Sequence, residues 1–163
     1  MQEEKMNEVK ESIKTHEGYR NKVYLCSEGK RTVGYGHLCV EDHWEDDKEY
    51  EKSYLDEIFD KDFENALYNS RTLISNRNIN FIAQGVICEM VFQLGIGNVS
   101  KFKKFWKALD SENYEEAAET GVNRAMYALG IMYEKGEGTP YNYYKAKEYY
   151  LKAHKNGHEL ALD

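Results

Sequence analysis

The chain has 163 residues, 41% of them hydrophobic and 31% charged, with one proline and a formal net charge of −7. This length and composition predict a globular protein of one domain with room for a second small lobe, and they exclude long disordered linkers. The negative charge argues against nucleic acid as a partner, because phosphate contacts need clustered Lys and Arg.

The longest uncharged runs are broken by Glu89 and stay far below the ~20 apolar residues that a membrane-spanning helix needs. The N-terminal sequence MQEEKMNEVKE is acidic and unlike a signal peptide. Cys26, Cys39 and Cys88 show no CxxC spacing, which favours free thiols in a reducing compartment over disulfides or a zinc site. We therefore expect no membrane span and a protein that is cytoplasmic as made.

The first third of the chain combines a helix with two short β-like segments. Met6, Val9 and Ile13 recur at three- and four-residue steps, which predicts an amphipathic helix over residues 3–16. The segments NKVYLC and KRTVGYGHL follow it, joined through Gly29, and predict a β-hairpin. The next stretch, EDHWEDDKEYE, lacks the residue order of a calcium loop, so we interpret it as a solvated loop and the start of a helix.

The rest of the chain is predicted to be helical. Apolar residues follow a helical stripe over residues 54–74, and the almost wholly apolar INFIAQGVICEMVFQL predicts a buried central helix over 79–94. Shorter helices are predicted over 101–109 and from NYEEAAE onward. The fold class is therefore α+β and mostly α.

Composition changes after Ala118. Residues 119–163 carry six acidic and six basic side chains, so the net charge of −7 belongs to residues 1–118. We interpret residues 1–118 and 119–163 as two domains of different origin or role.

Two familiar binding motifs are incomplete in the stretch THEGYRNKVYLCSEGKRTVGYGHL. Arg20 stands where the zinc motif HExxH needs its second histidine, and Cys39 stands where the dinucleotide motif GxGxxG needs its last glycine. We therefore expect neither a metal site nor another cofactor.

The same stretch carries Glu17, then eight residues to Cys26, then five to Thr32. A carboxylate at a helix end that faces a hairpin with polar groups suits hydrolysis by a general acid and an assisted water. The spacing also fits ordinary roles: a surface pair of Glu17 with Arg20, a small core thiol and a strand threonine. Spacing alone leaves both interpretations open.

The stretch resembles the catalytic signature of the phage-type lysozymes: a helix-terminal HEG, then Tyr24, the Glu, Cys and Thr spacing above, and TVGYGHL. Further on, MVFQLGIGNVSKFKKF and NYEEAAE are similar to the buried helix and the next helix of that family. The resemblance covers residues 1–118. It implies a lysozyme-like fold with a small β lobe and a helical lobe, and cleavage of the β-1,4 bond between N-acetylmuramic acid and N-acetylglucosamine in peptidoglycan.

The resemblance also implies residue roles. Glu17 would be the general acid, and Thr32 would help hold the water or the sugar. Cys26 stands where many members have Asp and some have Cys, and it would orient or activate water or act briefly as the nucleophile. Implied substrate contacts are Leu38, Phe92, Gln93 and Gly36, although Phe92 also fits core packing and Gly36 also fits a simple turn.

After Glu119 the chain departs from that family and resembles one Sel-one-like repeat, a helix-turn-helix unit. The matching residues are Ala125, Leu129, Gly130, Tyr133, Gly136, Gly138, Ala146, Tyr150, Ala153, Gly157 and Ala161. One repeat cannot bury its apolar face alone, so we expect it to dock on the helical lobe in place of the missing family helices. Arg124 is expected either to replace the arginine that pairs with the catalytic Glu in this family or to face solvent.

Two functions remain open at this point. The first is a peptidoglycan hydrolase of endolysin type, of phage or prophage origin, which reaches the cell wall after release. The second is a weakly active or inactive lysozyme-like scaffold whose helical repeat binds another protein.

Overall fold

A computed structural model describes residues 2–120 and 123–155. Over these ranges the chain forms eight helices and one small sheet, which confirms the mostly helical α+β prediction. The helices are α1 Gln2–Glu17, α2 Lys52–Ile74, α3 Phe81–Leu94, α4 Ile96–Val99, α5 Lys103–Asp110, α6 Tyr114–Thr120, α7 Asn123–Lys135 and α8 Tyr143–Lys155. The strands are β1 Arg20–Leu25, β2 Arg31–Gly34 and β3 His37–Leu38. Two compact units divide between Leu67 and Tyr68, within α2.

The sheet of the first unit is antiparallel, in the order β1-β2-β3. Thr32 of β2 pairs with Tyr24 on one side and with Leu38 on the other. The predicted single run KRTVGYGHL is in fact two strands, because Gly34 (φ +62°) and Gly36 (φ +81°) turn the chain between them. Such left-handed conformations favour glycine, which has no side chain to clash with the backbone.

The core of the first unit includes part of the charged stretch 41–51. Trp44 (4% exposed) and Tyr50 (9%) pack with Val33 of β2 and Leu55 of α2. The interpretation of this stretch as a solvated loop is therefore wrong for its two aromatic residues, which anchor it to the sheet.

His37 lies between two carboxylates in this unit. Its Nδ1 is 2.7 Å from Asp62 Oδ2, and its Nε2 is 3.2 Å from each carboxylate oxygen of Glu41. The hydrogen bond to Asp62 raises the pKa of His37, against the effect of burial, and Glu41 adds to the rise. Burial also opposes ionisation of Glu41, but hydrogen bonds from the Trp44 indole and His37 lower its pKa to about 2.

This cluster predicts a specific pH dependence of stability. The pKa of His37 is higher in the folded protein than in the unfolded chain, where it is near 6.5. Protonated His37 therefore stabilises the fold fully below pH 6.5, and this stabilisation is lost as pH rises through the folded pKa. Ionised Glu41 stabilises the fold fully above pH 4.5, the ordinary pKa of a glutamate, and this stabilisation is lost as pH falls toward 2. Urea denaturation should therefore show the largest gap between wild type and His37→Gln at pH 5 to 6. A gap that widens above pH 8 would contradict this assignment.

The second unit is built around α3. The Asn80 side chain accepts a hydrogen bond from the Ala83 amide (3.0 Å) and caps the helix, which ends at Gly95 (φ +81°). Ile87 and Met90 are fully buried in it. The prediction of a buried central helix is confirmed.

Apolar residues at helical spacing in the C-terminal repeat are buried on α7 and α8, at Ala125, Leu129, Met132, Tyr133, Ala146, Tyr149 and Ala153, whereas Tyr150 is half-buried. Both helices are joined to α6, because Glu115 accepts hydrogen bonds from the Tyr133 hydroxyl (2.7 Å) and the Lys145 ammonium (2.9 Å). α7 also contacts α3. The domain boundary after residue 118 stays a prediction, and Gly157 and Ala161 lie outside the described residues. No helix in the described part of the chain has the length and apolar character to cross a membrane.

Candidate active site

Glu17 is the last residue of α1, which ends because Gly18 adopts φ +70°. Its carboxylate is half-buried and lies against the turn between β2 and β3: a methyl group on Gly36 would be 2.6 Å from Glu17 Oε2. Burial raises the pKa of Glu17. The C-terminal end of a helix also disfavours a negative charge, so both effects shift the equilibrium of this carboxyl toward its protonated form.

Cys26 follows β1 at the start of the hairpin turn. The backbone amides of Lys30 and Glu28, and with a smaller effect the Thr32 side chain, lower the pKa of the Cys26 thiol, against the effect of burial. Thr32 is 3% exposed, and its hydroxyl also lies 2.9 Å from the Lys30 carbonyl oxygen. The structure thus brings Cys26 and Thr32 together, and the lowered pKa makes the thiol easier to ionise than an ordinary cysteine.

Tyr24 lies close to Cys26 and Thr32, although the sequence analysis gave it no role of its own. The pKa of its hydroxyl is raised by burial, lowered by Arg20, and raised by the charges of both Glu17 and Cys26. The Arg20 guanidinium stacks over its ring, 4.5 Å from the centroid. The charges of both candidate catalytic groups therefore act on the Tyr24 hydroxyl. Tyr24 pairs with Thr32 in the hairpin, and this register places it in the cluster.

The candidate substrate contacts fall into two groups. Gly36 and Leu38 are in the first unit with Glu17, and Leu38 is 44% exposed on the strand beside Thr32. Phe92 and Gln93 are in the second unit, at the end of α3, where Phe92 is half-buried and Gln93 is exposed.

Arg124 does not face solvent, so that expectation is wrong. Its Nε lies 2.6 Å from Glu89 Oε2, and the two side chains are 17% and 3% exposed. The sequence analysis assigned no role to Glu89. A single acidic residue in an otherwise apolar helix is the sequence feature that indicates a buried partner for it. This ion pair joins α3 to the first turn of α7.

Within residues 2–120 and 123–155, no group of three or more His, Cys, Asp or Glu side chains is placed to hold a metal ion. The first unit thus places a carboxyl with a raised pKa, Glu17, against the β2–β3 turn of a sheet whose β1–β2 turn carries a thiol with a lowered pKa, Cys26.

Comparison with known proteins gives two family matches. The phage lysozyme model matches residues 14–135, past the end we expected at residue 118, and the Sel1 repeat model matches residues 123–158. Two curated proteins of Dictyostelium discoideum are similar. Probable T4-type lysozyme 2 is 28% identical over 137 residues, covering 69% of this chain and 81% of that protein. Probable T4-type lysozyme 1 is 26% identical over 145 residues, covering 72% of this chain and 84% of that protein.

Proposed function

The chain belongs to the phage lysozyme family, and from that premise we propose that it is a glycoside hydrolase that cleaves the β-1,4 bond between N-acetylmuramic acid and N-acetylglucosamine in peptidoglycan. The observation that carries the proposal is the position of the Glu17 carboxyl, which is half-buried at the end of α1 against Gly36 of the hairpin; this burial raises its pKa. A carboxyl that keeps its proton toward neutral pH can protonate a leaving glycosidic oxygen. That the protein reaches the cell wall only after release stays a prediction.

In this mechanism Glu17 gives its proton to the oxygen that leaves with N-acetylglucosamine. The bond from C1 of the muramic acid residue to that oxygen breaks, and a water oxygen bonds to C1. The Cys26 thiolate accepts a proton from that water, in the position of the usual carboxylate base, while Thr32 orients the sulfur. Direct attack by water predicts inversion at C1, whereas attack by the sulfur would give retention.

Product analysis tests the proposal. Purified peptidoglycan is digested, its new reducing ends are reduced with borohydride, and the sugar alcohols are identified, with the Glu17→Gln protein as the blank. Muramitol is the expected product, and NMR of the nascent anomer reports inversion or retention. Glucosaminitol would mean that another bond is cut, and the absence of new reducing ends would remove the hydrolase proposal.

The exposed aromatics of the repeat favour the second candidate function, a protein-interaction module. Tyr141, Tyr143 and Tyr144 are 67%, 59% and 83% exposed. Such residues are common anchors in protein interfaces. A folded wild-type protein that yields no reducing ends from peptidoglycan would favour this function over the hydrolase.

Gly36→Ala is expected to lower kcat by about 10- to 100-fold, because the new methyl group displaces the Glu17 carboxylate. The matched control is Gly29→Ala. Gly29 has a similar backbone conformation (φ +75°), but nothing lies within 4 Å of its added methyl group. Both variants should lose roughly 1–2 kcal/mol of stability from the left-handed conformation. Equal activity of the two variants would show that Gly36 does not position Glu17.

Iodoacetamide is expected to modify Cys26 first and to inactivate the protein in step with that modification. Thiolates are the reactive form, and the pKa of Cys26 is lowered, whereas burial raises the pKa of Cys39 and raises that of Cys88 to about 11. Peptide mass spectrometry at pH 7.5 measures the order of modification. A Cys39→Ser protein should be inactivated at the wild-type rate, and faster modification of Cys39 than of Cys26 would refute the assignment.

A further inference from the structure

Tyr35 stands between the two left-handed glycines, Gly34 and Gly36, at the turn from β2 to β3. Its side chain is 9% exposed, although it belongs to a turn. Glycine has no side chain by which a turn can be held, so the side-chain contacts of this turn come from Tyr35. The next residue, Gly36, lies against the Glu17 carboxylate. The side chain that anchors the turn is therefore adjacent in sequence to the residue that covers the candidate acid.

The Tyr35 ring joins the turn to α1, to the segment after α1, and to α2. Its centroid lies 5.0 Å from that of Tyr19, which follows α1, and 5.2 Å from that of Phe59 on α2. The Lys14 ammonium of α1 lies 5.1 Å from the same centroid. Aromatic pairs and cations over rings attract one another at these distances. The ring is thus held between α2 and α1, the helix that ends at Glu17.

The Tyr35 hydroxyl adds one directional bond to these contacts, because it donates to Asp56 Oδ1 on α2 (2.8 Å). The Asp56 carboxylate also accepts from the Lys52 ammonium (2.9 Å), and the Lys14 ammonium lies 3.9 Å from it. Burial opposes ionisation of Asp56, but hydrogen bonds from Lys52 and Tyr35 lower its pKa. Hydrogen bonds to an ionised acceptor are stronger than those between neutral groups. Asp56 therefore fixes the Tyr35 side chain with respect to α2.

We propose that Tyr35, anchored by Asp56, is a positioning residue that holds Gly36 against the Glu17 carboxyl. Without this anchor the turn moves away from the end of α1, and water reaches the carboxyl that Gly36 covers. Contact with water favours the ionised form of Glu17, so fewer molecules then carry a proton to give. The Tyr24 hydroxyl of β1, on which the charge of Glu17 acts, is untouched by this change. That Glu17 is the acid rests on the proposed function, whereas its dependence on Tyr35 is measurable without hydrolysis.

The test compares Tyr35→Phe with Tyr50→Phe. Both tyrosines belong to the first unit and are 9% exposed, and the Tyr50 hydroxyl accepts a hydrogen bond from the Glu45 amide (2.8 Å). Asp56→Asn and Asp56→Ala remove the same charge, but only asparagine keeps an oxygen that accepts from Tyr35. The rate of reducing-end formation from peptidoglycan gives kcat and KM, and carbon-13 NMR of the side-chain carboxyl gives the pKa of Glu17.

Tyr35→Phe and Asp56→Ala are each expected to lower kcat about fivefold with KM unchanged, and to lower the pKa of Glu17 by about 0.5. Tyr50→Phe and Asp56→Asn should keep kcat within twofold of wild type and leave the pKa of Glu17 where it is. Because Tyr35 and Asp56 act through one hydrogen bond, the double variant Tyr35→Phe with Asp56→Ala should lose no more than either single variant.

An unchanged pKa of Glu17 in Tyr35→Phe overturns the proposal, as does an equal loss of kcat in Tyr35→Phe and Tyr50→Phe. Losses that add in the double variant also overturn it, because the two residues then act independently. If Asp56→Asn loses as much as Asp56→Ala, the charge of Asp56 acts and not its hydrogen bond, and the anchor is refuted. Absence of hydrolysis by wild type would refute the proposed function separately, and the pKa of Glu17 would then decide the positioning alone.

Discussion

Replacing Glu17 by glutamine is expected to lower kcat/KM on peptidoglycan by about 10³-fold, with little change in stability. Glutamine keeps the size and polarity of the side chain but has no proton to give, and general acid catalysis commonly contributes 10²- to 10⁴-fold. Because the pKa of Glu17 is raised, the wild-type enzyme should keep the acid form to a higher pH than an ordinary carboxyl allows. The rate of reducing-end formation measures both effects, and wild-type activity should fall as pH rises through that pKa.

Glu11→Gln is the matched control for this experiment. Glu11 is on the same helix, is exposed, and lies 4.0 Å from Lys14, so the same change there should leave kcat/KM within twofold of wild type. A Glu17→Gln protein that keeps more than a tenth of wild-type activity would show that another group donates the proton. Loss of activity in both variants would point to a general effect of charge on helix α1.

Prediction from the sequence succeeded where local pattern decides structure. Helix α3 is apolar on almost every side and is bounded by a capping Asn80 and a left-handed Gly95, so its burial and limits follow from neighbouring residues. Trp44 and Tyr50 gave no such signal, because they stand in a charged stretch without periodicity. Their burial depends on Val33 and Leu55, which other elements supply.

The candidate site shows the same division. The spacing of Glu17, Cys26 and Thr32 identified residues of a known signature, and the hairpin register brings the last two together. The contact of Gly36 with Glu17 was not predictable, because it depends on the left-handed turn that places the glycine against the carboxylate. The pairing of Glu89 with Arg124 was likewise hidden, because the partners are far apart in sequence and lie in segments that resemble different families.

Arg124→Met is expected to lower the free energy of unfolding by about 3–5 kcal/mol, because it leaves the Glu89 carboxylate buried without this guanidinium. For a chain of this length, that corresponds to a fall in Tm of roughly 6–20 °C. Thermal unfolding followed by circular dichroism measures it. The control is Lys152→Met, which breaks an exposed pair with Glu148 on α8 and should cost under about 1 kcal/mol.

The double variant Glu89→Met with Arg124→Met distinguishes two possible causes of the lower stability of Arg124→Met. One is the buried charge of Glu89, and the other is altered packing of the repeat. Replacing both partners by apolar side chains of similar size removes the buried charge together with its counterion, so Tm should return close to the wild-type value. If the double variant stays as unstable as Arg124→Met, the loss comes from displaced packing of α7 and not from the charge of Glu89. If Arg124→Met itself unfolds within 1 °C of wild type, this ion pair does not hold the first turn of the repeat to α3.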